Sequence, residues 1–71
     1  MTTYIVIELQ KSASGTVSNI VTQHDTRDAA ESKYHQILAA AAISSVYQHS
    51  AVLITDTGVE IMHQCYTHVD E

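Results

Sequence analysis

The segment DTRDAAESKYHQILAAAAI, residues 25–43, decides the fold of this chain, because it is one uninterrupted helix signal. It contains no glycine or proline, and its apolar side chains recur at spacings of three and four residues. The side chain of Asp25 or Thr26 can accept a hydrogen bond from a free N–H of the first turn, so the helix is expected to begin here. The apolar stripe comprises Ala30, Tyr34, Ile37, Leu38 and Ala41.

Alternating stretches on both sides of this helix predict four strands. Residues 3–10 (TYIVIELQ) and 16–24 precede the helix, and residues 51–55 (AVLIT) and 59–68 follow it. The poor alternation of residues 16–24 predicts either a bulge or an edge strand. The order of elements predicts an α+β fold of type ββαββ, a four-stranded, mainly antiparallel sheet with one helix packed on one face. Residues 1–71 are expected to form a single small domain.

Two glycines mark the turns between these strands. Residues 11–15 (KSASG) form a polar loop, and Asp-Thr-Gly at residues 56–58 is a hairpin signal, so we expect positive φ angles at Gly15 and Gly58. Residues 46–50 are either a connector or the first residues of the third strand. Residues 69–71 are expected to fray.

The alternation also divides the strands into two faces. One face carries Ile5 and Ile7, and we expect it to meet the helix. The predicted core consists of Ile5, Ile7, Ile37, Leu38, Leu53, Ile54 and Ile61. Because a single helix covers one face of a sheet, the other face is expected to form the interface of a homo-oligomer. Its predicted contact residues are Tyr4, Val6, Met62 and Tyr66.

Composition narrows the class of protein. Eight carboxylates stand against three Lys and Arg residues, which argues against non-specific nucleic-acid binding. The single cysteine, Cys65, excludes an intramolecular disulfide and fits a reducing compartment. The N-terminus lacks the basic segment of a signal peptide, and no apolar run approaches the ~18 residues of a membrane span. We therefore expect a cytoplasmic protein that does not bind membranes.

The sequence offers one candidate site for a small anionic, nucleotide-like ligand. Arg27, Lys33, Tyr34 and His35 form the only mixed basic and aromatic group, close to the N-terminal end of the helix, where backbone N–H groups favour anions. The alternative is that the basic side chains are solvated partners of Asp28 and Glu31.

No catalytic motif is present, so we expect no enzymatic activity, no catalytic residues and no cofactor. His63 and Cys65 are two residues apart in a strand and point the same way, which is compatible with zinc. A structural zinc site needs four ligands, however, and no second such pair is present. Metal binding through His63 and Cys65 therefore stays an alternative, and the main expectation is that no metal is bound.

Three blocks of the chain resemble a group of small uncharacterised proteins encoded in phages and prophages of gut bacteria. The blocks are AESKYHQILAAAAISS (residues 30–45), HSAV (residues 49–52) and HQCYTH (residues 63–68), and the similarity extends over most of the chain from Tyr4 onward. The resemblance implies an accessory or anti-defence protein that acts by binding, as an oligomer, in the cytoplasm of an infected bacterium. It would inhibit a host protein or sequester a small ligand. A structural or assembly component of a phage is the alternative.

Overall fold

The structure, a computed structural model, describes residues 1–68 of the chain and contains four strands and one helix. The order of elements confirms the predicted ββαββ architecture. The predicted fraying of residues 69–71 lies outside the described residues. The elements are β1 (Tyr4–Lys11), β2 (Val17–His24), α1 (Arg27–Ala42), β3 (Gln48–Thr55) and β4 (Glu60–Thr67).

The four strands form one antiparallel sheet in the order β2-β1-β3-β4. The two hairpins therefore meet along β1 and β3, where Val6 lies opposite Leu53. β2 and β4 are the edge strands, which confirms the edge predicted for residues 16–24. Pairing of β2 with β1 is regular, and the sheet's irregularity lies instead in the β3–β4 pair, between Leu53 and Ile54.

The helix begins and ends where its sequence provides hydrogen-bond partners. The Thr26 hydroxyl accepts a hydrogen bond from the N–H of Ala29 at 3.2 Å, which caps the first turn. Asp28 lies in that turn, near the positive end of the helix dipole. Ile43 ends the helix, and its N–H donates back to the carbonyl of Ala40. Within residues 1–68, no helix is long and apolar enough to cross a bilayer.

The core lies between α1 and one face of the sheet, which we call the helix side. Small residues on both layers, Ala30 and Ala51, are fully buried and allow the helix to approach the strands closely. Leu53 and Val6 are the largest side chains that are fully enclosed. The buried cluster consists of Val6, Ala30, Tyr34, Ile37, Ala51 and Leu53.

The predicted assignment of sheet faces is wrong. Val6 is 1% exposed and packs under the helix, and strand alternation places Ile5 and Ile7 on the opposite side of the sheet. Of the predicted core, Ile37 and Leu53 are buried, Leu38 and Ile61 pack against the core, and Ile5, Ile7 and Ile54 are half-buried on the far face. The reason is that β1 is apolar on both faces, so its alternation carries no information about which one the helix covers.

The two turn predictions are confirmed. Gly15 has a φ of 94° and Gly58 a φ of 86°, a region that other residues rarely occupy. In the second hairpin, the N–H of Gly58 donates to the carbonyl of Thr55. Of residues 46–50, the first two belong to the connector and the other three to β3, which begins at Gln48.

Candidate functional site

The sheet surface opposite the helix, which we call the open face, carries the largest group of apolar side chains that the described fold leaves uncovered. At its centre Ile7 of β1 lies between Val21 of β2 and Val52 of β3. In the next row Ile5 lies opposite Ile54. The apolar part of the open face consists of Ile5, Ile7, Leu9, Val21, Val52 and Ile54.

Among residues 1–68, the Asp, Glu, Lys and Arg side chains on the open face lie at its margin. Lys11 ends β1, and on the β4 edge the Glu60 carboxylate contacts His63 at 2.5 Å. The row between Lys11 and the central Ile7 contains Asn19, Leu9 and Ser50, which are neutral. A solvent-facing sheet surface ordinarily turns its polar residues outward, whereas β1 turns three successive apolar residues, Ile5, Ile7 and Leu9, toward the open face. An apolar centre with a polar rim is the arrangement of a protein interface.

His63 and Cys65, the alternative metal ligands, lie on the open face. Cross-strand pairing places them opposite Val52 and Ser50, and both are exposed. Over residues 1–68, no cluster of three or more His, Cys, Asp or Glu side chains is close enough to hold a metal ion. Among residues 1–68, the pair His63 and Cys65 provides fewer than the four ligands that a structural zinc site requires.

The four residues of the predicted anion site do not converge. The Arg27 guanidinium lies on the helix surface, 3.0 Å from the Glu31 carboxylate, the alternative that the sequence left open. Tyr34 is only 4% exposed and belongs to the core, so its inclusion in a surface site is wrong. His35 is exposed and contacts the ring of Tyr34 edge-on, with centroids 5.4 Å apart. The charge of Lys33 acts on the Glu8 carboxylate of β1 and helps to lower its pKa.

The predicted interface residues lie on the helix side. Val6 is enclosed within a single subunit, and Tyr4 and Met62 pack against the same core. Tyr66 is half-buried opposite His49. The assignment of these four residues to the face opposite the helix is therefore wrong, for the same reason as above. Val6 is enclosed within the subunit, and subunit contact through Tyr4, Met62 or Tyr66 stays a prediction. The open face is a further surface that the fold leaves free for an interface.

A buried polar group under the helix was not predicted. His49 is 4% exposed, and its Nε2 lies 2.6 Å from Oε2 of Glu8, which also accepts a hydrogen bond from Gln10 at 2.9 Å. Burial alone would raise the pKa of Glu8, but the hydrogen bonds from Gln10 and His49 and the charges of His49 and Lys33 outweigh it and lower that pKa. Nδ1 of His49 is buried without a partner. The only sequence signal was Glu8 itself, which interrupts an apolar strand.

A shallow cleft of about 410 Å³ lies where the β1–β2 turn approaches the α1–β3 loop. Hydroxyl-bearing side chains dominate it, and none of its lining residues is Asp, Glu, Lys or Arg. It therefore lacks Lys and Arg, the side chains that ordinarily pair with a phosphate-bearing ligand. Its lining consists of Gln10, Ser12, Ala13, Thr16, Ser18, Ser45, Val46, Tyr47 and His68.

Comparisons with protein-family models, with curated proteins and with solved structures each return no match for this chain. No residue role is carried over from another protein.

Proposed function

We propose that this chain is a non-enzymatic binding protein that works as a homo-oligomer, and that its subunits join through the open face. The observation that carries the proposal is the uninterrupted apolar centre around Ile7 and Val52, on a surface that no element within residues 1–68 covers. Large exposed apolar surfaces with polar rims mark interaction sites in soluble proteins.

The open face is large enough for a stable contact. Strands of eight residues are about 27 Å long at ~3.4 Å per residue, and four strands are about 19 Å wide at ~4.8 Å per strand. The projected area is therefore about 500 Å² per subunit, or about 1,000 Å² for two. That total reaches the roughly 1,000 Å² expected of a biological interface.

A second copy is the partner that fits this surface best. The neutral centre meets its own copy without placing like charges together, as a two-fold contact requires. A 71-residue chain without a disulfide also gains from association, because a core of this size supplies only ~3–5 kcal/mol. The helix side already has its core, so association through the open face gives the sheet a second apolar layer.

The setting we propose follows from the resemblance to phage-encoded proteins: an accessory protein in the bacterial cytoplasm that occludes a host protein. A protein target fits better than a nucleotide-like ligand. Arg27 is paired with Glu31, Tyr34 is in the core, and the cleft near Tyr47 has no Lys or Arg among its lining residues. The exposed surface of α1 stays available to a target when the open face is occupied by a second copy.

Sedimentation velocity over a hundredfold range of protein concentration tests the proposal. Wild-type protein is expected to sediment as an oligomer. Ile7→Lys should lower the particle mass, because it places an unpaired charge at the centre of the contact. Val59→Lys is the matched control, since Val59 is 59% exposed in the β3–β4 turn, away from the open face.

Circular dichroism of each variant confirms that the subunit is folded. A wild-type protein that stays monomeric at every concentration would overturn the proposal. So would a folded Ile7→Lys variant whose mass equals that of the wild type.

A further inference from the structure

β2 lies at the edge of the sheet and exposes apolar residues on both of its faces. Ile20 projects on the helix side and is 55% exposed, while Val17 and Val21 project on the open face and are 56% and 54% exposed. Apolar residues on both faces are typical of strands that are covered on both faces. Within residues 1–68, no element covers β2 on the open face, and on the helix side none of its residues belongs to the buried core, which is built from β1, β3 and α1.

β2 also lacks the features that protect an edge strand from pairing. Its sequence, VSNIVTQH, contains no proline and no Asp, Glu, Lys or Arg, and all eight residues pair regularly with β1. Natural edge strands are usually blunted by charges, prolines or bulges. The opposite edge, β4, carries two such features, the irregular pairing beside Leu53 and the charged residue Glu60.

We propose that β2 pairs antiparallel with β2 of a second copy, so that two four-stranded sheets become one continuous eight-stranded sheet. The outward N–H and C=O groups of the two strands would hydrogen-bond to each other, as they do when a strand is added to an open sheet edge. A two-fold axis relates the strands, so residues near the middle, Ile20 and Val21, approach their own counterparts. A strand without Asp, Glu, Lys or Arg meets its own copy without repulsion between such groups.

This contact uses a different surface from the open-face interface and does not depend on it. Ile20 points to the helix side, whereas Ile7 points to the open face. Edge pairing also brings two open faces into one plane and doubles the apolar area available for stacking. If both contacts form, which rests on the proposed function, the particle contains four chains: two eight-stranded sheets packed through their open faces.

Ile20→Lys is the variant that separates the two contacts. We expect it to halve the particle mass in sedimentation velocity, whereas Val59→Lys, a similarly exposed position in the turn, leaves the mass unchanged. A wild-type oligomer that Ile7→Lys disrupts and Ile20→Lys leaves unchanged would overturn edge pairing and keep the proposed function. A lower particle mass in Ile20→Lys but not in Ile7→Lys would overturn the open-face interface and keep edge pairing. A monomeric wild type would overturn both.

Amide hydrogen exchange gives an independent reading that does not depend on mass. Every second N–H of an unpaired edge strand faces solvent and exchanges fast. In wild-type protein, we expect alternate residues of β2 to exchange at least tenfold more slowly than the outward amides of β4. In Ile20→Lys, this difference should disappear while the β1 amides stay protected. Fast exchange at the outward amides of β2 in the wild type would contradict the pairing, whatever the particle mass.

Discussion

At the scale of single residues, the most informative position is Glu8. It is a carboxylate on the helix side of a central strand, where an unpaired charge would oppose folding. The structure places Nε2 of His49 at 2.6 Å and the amide of Gln10 at 2.9 Å from the same oxygen. Glu8 is thereby held as the anion next to an apolar core, and Lys33 on the helix adds a favourable charge.

The lowered pKa of Glu8 predicts how stability depends on pH. A carboxyl group whose pKa is lower in the folded state stabilises the fold above its ordinary value of 4.5, and this contribution is lost as the pH falls through the folded value. We expect Glu8→Gln to be less stable than wild type at pH 7 and the difference to narrow below pH 4.5. Urea unfolding at a series of pH values measures it. Glu60→Gln, at an exposed carboxylate, is the control. A stability difference between wild type and Glu8→Gln that does not change with pH would contradict the lowered pKa of Glu8.

Two leucines test the core. Leu53 is fully buried between the sheet and the helix, whereas Leu38 only packs against the edge of the core. We expect Leu53→Ala to lower the free energy of unfolding by about 2–4 kcal/mol, the range for large-to-small changes in cores, and Leu38→Ala to lower it by less. Chemical denaturation of both variants measures the two values. Equal losses would show that the helix is rotated relative to the position described here.

At the scale of elements, α1 is fixed by local capping and by contacts at its far end. Thr26 caps its first turn, and its last turns contain no basic residue. Instead, His68, which follows β4, donates from Nε2 to the carbonyl of Ala41 at 2.7 Å, and its N–H donates to the carbonyl of Tyr47. His68 therefore holds the helix and the α1–β3 loop together, a contact between parts of the fold that are far apart in sequence.

Removal of the N-cap should destabilise the helix measurably. Thr26→Ala loses the acceptor for the N–H of Ala29 and is expected to lower the free energy of unfolding by about 1 kcal/mol. Thr26→Ser keeps a hydroxyl and should stay close to wild type. Thermal unfolding followed by circular dichroism compares the three proteins. An alanine variant as stable as the serine variant would show that the cap contributes nothing.

At the scale of the whole molecule, residues 1–68 form one sheet and one helix, and within these residues no layer lies over one of the two sheet faces. Domains are ordinarily built from packed layers around a core, and a sheet that is apolar on both faces needs cover on both. The open face and the β2 edge are the two places where this subunit is incomplete by that criterion. The uncovered face carries the proposed open-face interface, and the unprotected edge carries the proposed pairing of β2.

Association through these surfaces predicts that stability depends on protein concentration. When an oligomer unfolds to monomers, mass action raises the thermal midpoint as concentration rises. For a small domain we expect roughly 3–6 °C for each tenfold increase, from the stability scale of such domains. Ile7→Lys should lose much of this dependence, and Val59→Lys should keep it. Differential scanning calorimetry at three concentrations decides, and a wild-type midpoint that does not move would contradict self-association.

Local signals in the sequence determined the elements of this protein and their order. The interruption-free helix with Thr26 at its start, the positive φ angles at Gly15 and Gly58, and the edge character of residues 16–24 each follow from short-range chemistry. These features need only neighbouring residues to be specified, so they could be predicted before the fold was known. The pairing of Glu8 with His49 could not, because 41 positions separate them in the chain.

The tertiary structure alone decided which face of the sheet is covered, and with it the candidate site. In β1 the residues Ile5 and Ile7 alternate with Tyr4 and Val6, so both faces are apolar and the hydrophobic pattern has no preferred side. The choice was made by the helix, whose small residue Ala30 packs closely over Ala51 and Leu53 of β3, and β3 pairs with β1 in a register that aligns Leu53 with Val6. Covering Val6 left Ile7 on the open face, because neighbouring residues of a strand point to opposite sides.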